Sequence, residues 1–403
     1  MTHSHGIDAV ESMSQNSITK FLALQKQTVA LLCMVILVGT GERIAERFLP
    51  LYLLVLGGGI MSVGIFSGAN NLVNALYSFF GGVISGRIGH KRALLLFNAM
   101  TIAGYFIVIL FPYWQAVIVG SFFFLSWSAI SMPATLDLVA KSVPSNKRAM
   151  GVSVNSLMRR VPMFTGPMIG GVLIEQYGEA DGIRYAFIIA AGLAFVSLLL
   201  QQYMIEGADT RDHSAEINPF SLWKGMSDPL RNLLLSDILI RFCEQIPYAF
   251  VVVWCIKVAK ISPVQFGVLT TIEMITALLI YLPVAYFADK TVKKPFITAT
   301  FFFFTMFPLA LMNSYSFPLL AAAFVLRGLK EFGEPTRKAL ILDHCPEKNK
   351  AGMFGFYYLL RDSVVSLAAL CGGWLWLVSP QTNLIAAFSF GVIGTMWFIV
   401  KGK

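Results

Sequence analysis

Apolar stretches of about 20 to 28 residues recur from one end of the chain to the other, each ended by a few polar, Pro or Gly residues. A helix of that length crosses a hydrocarbon core of about 30 Å. The pattern predicts twelve spans, at 27–56, 61–85, 93–112, 115–140, 149–176, 184–204, 230–258, 263–287, 295–313, 316–342, 351–377 and 383–400. The longest polar stretch, EGADTRDHSAEINPFSLWKGMSDP, leaves six spans before it and six after. The expected organisation is a tail over 1–26, a six-helix bundle over 27–204, a central loop over 205–229, a second six-helix bundle over 230–400 and a tail over 401–403.

Of 403 residues, 56% are hydrophobic and 13% charged, too little charge to cover a water-soluble surface. The chain therefore reads as an all-α integral membrane protein. Its first twenty or so residues are polar, with no basic region leading into a short apolar run, so no cleaved signal peptide is expected. Lys and Arg mark alternate connections: Arg87, Lys91 and Arg92; Lys141, Lys147 and Arg148; Arg211 and Lys224; Lys290, Lys293 and Lys294; Lys348 and Lys350. The intervening connections hold only Arg184, Lys257 and Lys260. This bias places the first set and both termini in the cytoplasm, with the chain in the cytoplasmic (inner or plasma) membrane. The net charge of +9 is then a topology signal and calls for no nucleic acid. The five Cys are scattered, and the five His lie in tails or cytoplasmic connections, so no metal and no cofactor is expected.

The second half repeats the first. PATLDLVAKSVPSNKRAMG resembles PTRKALILDHCPEKNKAGM, with Pro133 on Pro335, Pro144 on Pro346, Arg148 on Lys350 and Ala149 on Ala351, all 202 apart. The same offset carries Arg159 onto Arg361 and Gly170 and Gly171 onto Gly372 and Gly373, while an offset of 198 carries Arg43-x-x-Glu46 onto Arg241-x-x-Glu244. Parallel repeats of this kind place a substrate site at their interface near the bilayer midplane.

Three stretches, GGVISGRIGHKR, GPMIGG and ERFLPLY, carry a resemblance that extends over essentially the whole chain, to the major facilitator superfamily of secondary transporters. GGVISGRIGHKR resembles the family's cytoplasmic loop signature at Gly82, Arg87, Gly89 and Lys91, with Gly86 where the family has Asp; AYFADKTVKK, the second copy, keeps Asp289. GPMIGG resembles the span-five antiporter signature at Gly166, Pro167, Gly170 and Gly171, although small residues also let helices pack closely whatever the direction of transport. The resemblance implies twelve transmembrane helices in two pseudo-symmetric six-helix bundles, with these loop and glycine positions serving the conformational switch. ERFLPLY partly resembles a stretch of proton-coupled peptide transporters, at Glu46, Arg47 and Phe48.

Charges inside the spans are the candidates for chemistry. On a helical wheel Glu42, Arg43, Glu46 and Arg47 share one sector, at about 0°, 100°, 40° and 140°. Each charge left bare at mid-bilayer costs roughly 2.5 to 3.5 kcal/mol, about ten for four. Arg43 and Glu46, at i and i+3, can neutralise each other locally. The pattern recurs, however, at Asp237, Arg241, Glu244, Gln245 and Tyr248 of span seven, and ionisable groups at this depth are functional candidates. Span five adds Asn155, Arg159 and Arg160; span eight Glu273; span ten Arg327, Lys330, Glu331 and Glu334; span eleven Tyr357, Arg361 and Asp362. Arg337, Lys338, Asp137 and Asp343 lie nearer the cytoplasmic ends and are expected to serve topology and capping.

A buried guanidinium is a planar fork for carboxylate or phosphate, so Arg43, Arg47, Arg159, Arg241, Arg327 and Arg361, with Tyr248, are the substrate-binding candidates. A carboxylate in a partly dehydrated cavity is perturbed by desolvation and by a neighbouring Arg, so competition for that Arg links its protonation to substrate binding. Glu46, Glu244, Glu331 and Glu273 are the proton-coupling candidates on that basis. The leading reading is a monomeric, proton-coupled antiporter that exports a small organic solute. An organic-anion, phosphate-ester or peptide-like transporter and a non-transporting sensor are the alternatives. No nucleophile elbow, phosphate loop or nucleotide fingerprint supports an enzyme.

Overall fold

The computed structural model describes residues 26–125, 127, 131, 148–204, 219–288, 292–346 and 350–402. Among them all regular structure is helical. The helices follow the predicted spans: α1 (Lys26–Glu46, resuming over Leu49–Val55), α2 (Gly59–Ile88), α3 (His90–Leu110) and α4 (Trp114–Phe124). Next, α5 and α6 are the two arms of Arg148–Met204, which turns at Gly178. A short helix, Pro219–Gly225, precedes the second bundle. That bundle comprises α7 (Asp228–Tyr248, resuming over Val251–Val258), α8 (Pro263–Ala288), α9 (Lys293–Met312), α10 (Phe317–Leu329, resuming over Glu334–Asp343), α11 (Lys350–Val378) and α12 (Pro380–Lys401).

Among the described residues, six helical runs are long and apolar enough to cross a membrane unaided, α5 and α6 counting as one 45-residue run, or seven when α7 and its bent continuation are joined. Those that fall short are informative. Both α1 and α10 are cut in two. Helix α2 carries Asn70, Asn71 and Asn74, and only the first part of α4 is described.

The repeat is visible in the packing. A Cβ on Gly170 of α5 would strike the Ile44 carbonyl of α1, and one on Gly372 of α11 would strike the Ile246 carbonyl of α7, both members of each pair being 202 apart. The break in α1 at Arg47 and Phe48 likewise corresponds to the break in α7 at Ala249 and Phe250. In this register Glu42, rather than Glu46, is the counterpart of Glu244. The two Arg-x-x-Glu pairs at offset 198 therefore sit one helical turn out of equivalence.

Because the helices alternate in direction, the start of α1, the end of α6, the start of α7 and the end of α12 lie at one, terminal end, and Gly57, Gly178 and the 258–263 turn at the other. At that second, distal end the halves are in contact. A Cβ on Gly64 would lie 2.9 Å from the Gly373 Cα, and one on Gly171 2.6 Å from the Pro263 carbonyl oxygen, so only glycine permits these helices to cross so closely. Lys257 Nζ donates to both oxygens of Glu179 at 2.8 and 2.9 Å, and Val264 N to Glu175 at 3.3 Å. One apolar core runs across both halves here, joining Phe48 to Phe266 (ring centroids 5.5 Å apart) and including the stacked pair Phe250 and Trp376. Toward the terminal end the described core separates into a cluster around Met34, Phe97 and Trp127 in the first half and one around Leu230, Phe301 and Tyr357 in the second. Among the described residues the halves are thus sealed distally and part toward the terminal end.

Candidate functional site

Proline cuts the helices that line the space between the halves. Pro50 lacks an N–H, and its ring excludes a continuous helix through the carbonyl of residue 46. Phe48 N instead bonds the Ala45 carbonyl at 2.9 Å, and the helix restarts with Pro50 in its first turn. In α7, Pro247 has the same effect: Phe250 N turns back to the Pro247 carbonyl at 2.8 Å and the helix bends by 41°. In α10 the chain turns over residues 330–333, where Gly333 N donates to Thr300 Oγ1 at 2.5 Å, and restarts at Glu334 and Pro335.

A cavity lies between these breaks, walled by Glu46 and Arg47 of α1, Phe66, Ser67, Asn70 and Asn71 of α2, Gln245 and Tyr248 of α7, Phe266 of α8 and Arg327 of α10. A second space of about 670 Å³, walled by Asn74, Arg241, Arg361 and Asp362, adjoins it toward the terminal end. Asn71 and Gln245 line both, and a hydrogen bond of 3.0 Å from Asn71 Nδ2 to Gln245 Oε1 ties the halves together between them.

The Tyr248 ring lies within reach of two guanidinium groups, one from each half. Arg47 Cζ is 5.3 Å and Arg327 Cζ 5.6 Å from its centroid. Arg327 also contacts the Phe307 and Phe324 rings, and its Nε lies 3.3 Å from Glu273. Arg47 makes no ion pair within 4 Å among the described residues. Its neighbour Glu46 is held by Arg43, the local i to i+3 pairing the sequence allows.

Behind the wall the second half carries a continuous chain of ion pairs. Glu273 is within 3.5 Å of Lys330, Lys330 donates to Glu244 at 2.8 Å, and Arg241 donates to the other Glu244 oxygen at 2.5 Å. Arg241 also reaches Glu334 at 3.4 Å; Glu334 takes two bonds from Arg337, of 2.5 and 3.0 Å; and Arg337 pairs with Asp237. Asp237 in turn accepts from Tyr357 at 3.1 Å and Arg361 at 3.4 Å, and Arg361 holds Asp362 at 2.7 Å. Burying this many charges costs more than their pairing returns in stability, so the network points to function rather than to folding. Both Glu273 oxygens are buried and accept no hydrogen bond among the described residues.

The site candidates therefore divide. Arg47, Tyr248, Arg327 and Glu46 share the central cavity, Arg241 and Arg361 face the second space, and Glu244 and Glu273 stand behind with Lys330. Arg159 lies apart, within electrostatic reach of Glu42. Glu331 sits half-buried in the turn of α10. Gly166 and Gly170 pack α5 on α1, and Gly171 meets α8 beyond Pro167. Gly82 lies in α2 and Arg87 is exposed near its end, Gly89 turns the chain at φ +85°, and Lys91 donates to the Gln202 carbonyl at 3.3 Å. Asp289 and Asp137 lie outside the described residues.

One expectation is corrected. Arg337, assigned to topology and capping, is 1% exposed and clamps Asp237 and Glu334. The restart of α10 at Glu334 turns that residue inward. Asp343 does stay at the terminal end, paired with Lys293. Asn71 is a cavity residue that the charge pattern does not mark, although Asn70, Asn71 and Asn74 in an apolar span form the same polar sector that distinguishes α1 and α7.

The sequence profile of the Major Facilitator Superfamily matches residues 31–252 and 233–402. The multidrug resistance protein MdtG of Rahnella sp. (strain Y9602) is 28% identical over 176 residues, covering 42% of this chain and 41% of that protein. MdtG of Proteus mirabilis (strain HI4320) is 25% identical over 342 residues, 81% of this chain and 83% of that protein. Among solved structures, that of the nucleoside transporter NupG superposes with a TM-score of 0.80 over 94% of this chain and all of that one, at 12% identity, a likeness of fold.

Proposed function

Because this chain belongs to the Major Facilitator Superfamily, we propose that it exports a small organic solute in exchange for protons, by alternating access. One observation carries this reading: a polar, ion-lined cavity lies between the two halves at the level where α1, α7 and α10 break, sealed distally and parting toward the terminal end. Discontinuous helices around a midplane cavity are the usual construction of a transporter site. With the Lys and Arg bias placing the termini in the cytoplasm, the conformer faces inward. The reading takes further support from the names of the MdtG relatives and from GPMIGG at the α1, α5 and α8 crossing.

In this scheme the monomer rocks about the central cavity. The distal contacts of Lys257 with Glu179 and Gly64 with Gly373 part, and the terminal ends, which carry Arg87, Gly89 and Lys91, draw together. Glu46, Glu244, Glu273 and Glu331 are the carboxylates proposed to take the proton. Glu331 is the best placed to hold one, since it stands half-buried in the turn of α10 with no cation at ion-pair distance among the described residues, whereas Glu273 Oε1 is held by both Arg327 and Lys330. Antiport requires solute and proton to occupy the carrier in turn. Adding a transported solute to purified protein in weakly buffered solution is therefore expected to release protons, and Glu331→Gln to abolish the release. Proton uptake on binding would overturn antiport in favour of cotransport.

A further inference from the structure

We infer that the solute is an organic monoanion with a flat apolar body, its anionic group held between Arg47 and Arg327 and its body laid along Phe66, Tyr248 and Phe266. The inference rests on the transporter reading but not on the direction in which protons move.

Charge comes first. Of the ionised groups on the cavity wall, Glu46 is engaged by Arg43 and Arg327 by Glu273, whereas Arg47 has no carboxylate within ion-pair distance among the described residues. The surrounding acids are already committed: Glu273 and Glu244 share Lys330, and Glu244 also holds Arg241. The wall thus carries one positive charge in excess, at a depth where a cation without a counter-ion is costly. A monoanion supplies the missing charge, whereas a cation would add to the excess.

Geometry agrees. Arg47 belongs to the first half and Arg327 to the second, and both guanidinium groups lie within 6 Å of the Tyr248 centroid. An anionic group beside that ring meets a guanidinium from each half, and either planar fork can take a carboxylate, sulfonate or phosphate monoester. Tyr248, Phe66 and Phe266 offer faces and edges to an aromatic or conjugated body.

The test uses three isosteric probes that differ in charge: 2-naphthoate, 2-naphthamide and 2-naphthylmethylammonium. Their binding to the full-length purified chain is measured by calorimetry, without any gradient. The carboxylate is expected to bind at least about tenfold more tightly than the amide, and the ammonium more weakly still. Arg47→Gln should remove about 10- to 100-fold of carboxylate affinity while leaving the amide unchanged, and Arg47→Lys should restore part of it. Arg184→Gln, at the exposed distal end, should change nothing, and the melting temperature of each unliganded variant reports folding. Absence of saturable carboxylate binding to the parent, an ammonium that binds as well, or an Arg47→Gln chain that is folded and keeps the preference would overturn the inference. Proton-driven uptake of a cationic solute would leave the transporter reading standing and remove this one. Carboxylate binding with no flux would do the reverse.

Discussion

Gly64 and Gly373 give the alternating movement a handle that touches neither the cavity nor its charges. In the conformer seen here α2 and α11 cross so closely that a Cβ added at Gly64 lies 2.9 Å from the Gly373 Cα and 3.0 Å from the Leu370 carbonyl. Backbone on both sides leaves no flexible side chain to yield. Overpacking of this kind costs about 1 to 3 kcal/mol. The cost falls on the distally closed state alone, because the two helices separate when that end opens, whereas the gain in helix propensity from Gly to Ala is common to both states. Gly64→Ala should therefore shift the population toward the distally open state by about 5- to 150-fold. Gly373→Ala, whose Cβ lies 3.1 Å from the Gly64 Cα, should do so less, and Gly192→Ala, with no atom within 4 Å, not at all. Spin labels at Tyr113 and Val378, exposed near the distal ends of α4 and α11, report the opening as a longer distance by double electron–electron resonance. A folded Gly64→Ala chain with the parent's distance distribution would refute the reasoning.

Other perturbations separate the charges that hold the fold from those that are free to move. Asp237 is 1% exposed and faces Arg337, Arg361 and Tyr357, so Asp237→Asn leaves two buried guanidinium groups short of a counter-charge. It should cost about 3 to 5 kcal/mol of stability in thermal or denaturant unfolding, and adding Arg361→Gln should recover part of that. An Asp237→Asn chain as stable as the parent would show that the pair is not buried as described. By contrast, Lys257 is 47% exposed at its bridge to Glu179, and Lys257→Ala should alter stability by no more than about 1 kcal/mol. A larger loss would make that bridge, rather than the glycine crossings and the aromatic core, the principal distal fastening.

The helices and the doubling of the chain were legible because each has a local cause. Apolar length fixes the spans, and the constant offset of 202 reappears as the matching contacts of Gly170 with Ile44 and Gly372 with Ile246. The depth of Arg47, Tyr248 and Arg327 was equally readable, since a charge within an apolar run must face a cavity or a partner rather than lipid. What the sequence hid depends on breaks and on partners. Nearness to the predicted end of span ten made Arg337 look peripheral, and the turn over 330–333 returns it to the interior beside Asp237. The Arg-x-x-Glu repeat looked equivalent at an offset of 198, whereas helix packing selects 202, one turn away. The bond between Asn71 and Gln245 joins residues 174 positions apart, and no local pattern names such a partner.

Alternating exposure of the central cavity is tested most directly by labelling Asn70→Cys, with the five native cysteines replaced by Ser, using a membrane-impermeant thiol reagent applied to one face at a time. Asn70 lines the cavity and belongs to no ion pair among the described residues. The resting carrier should react mainly from the face that bears the termini, and combining Asn70→Cys with Gly64→Ala should raise reaction from the opposite face at the expense of the first. Equal reaction from both faces in the parent, or a face preference that Gly64→Ala does not move, would contradict a cavity that opens to one side at a time.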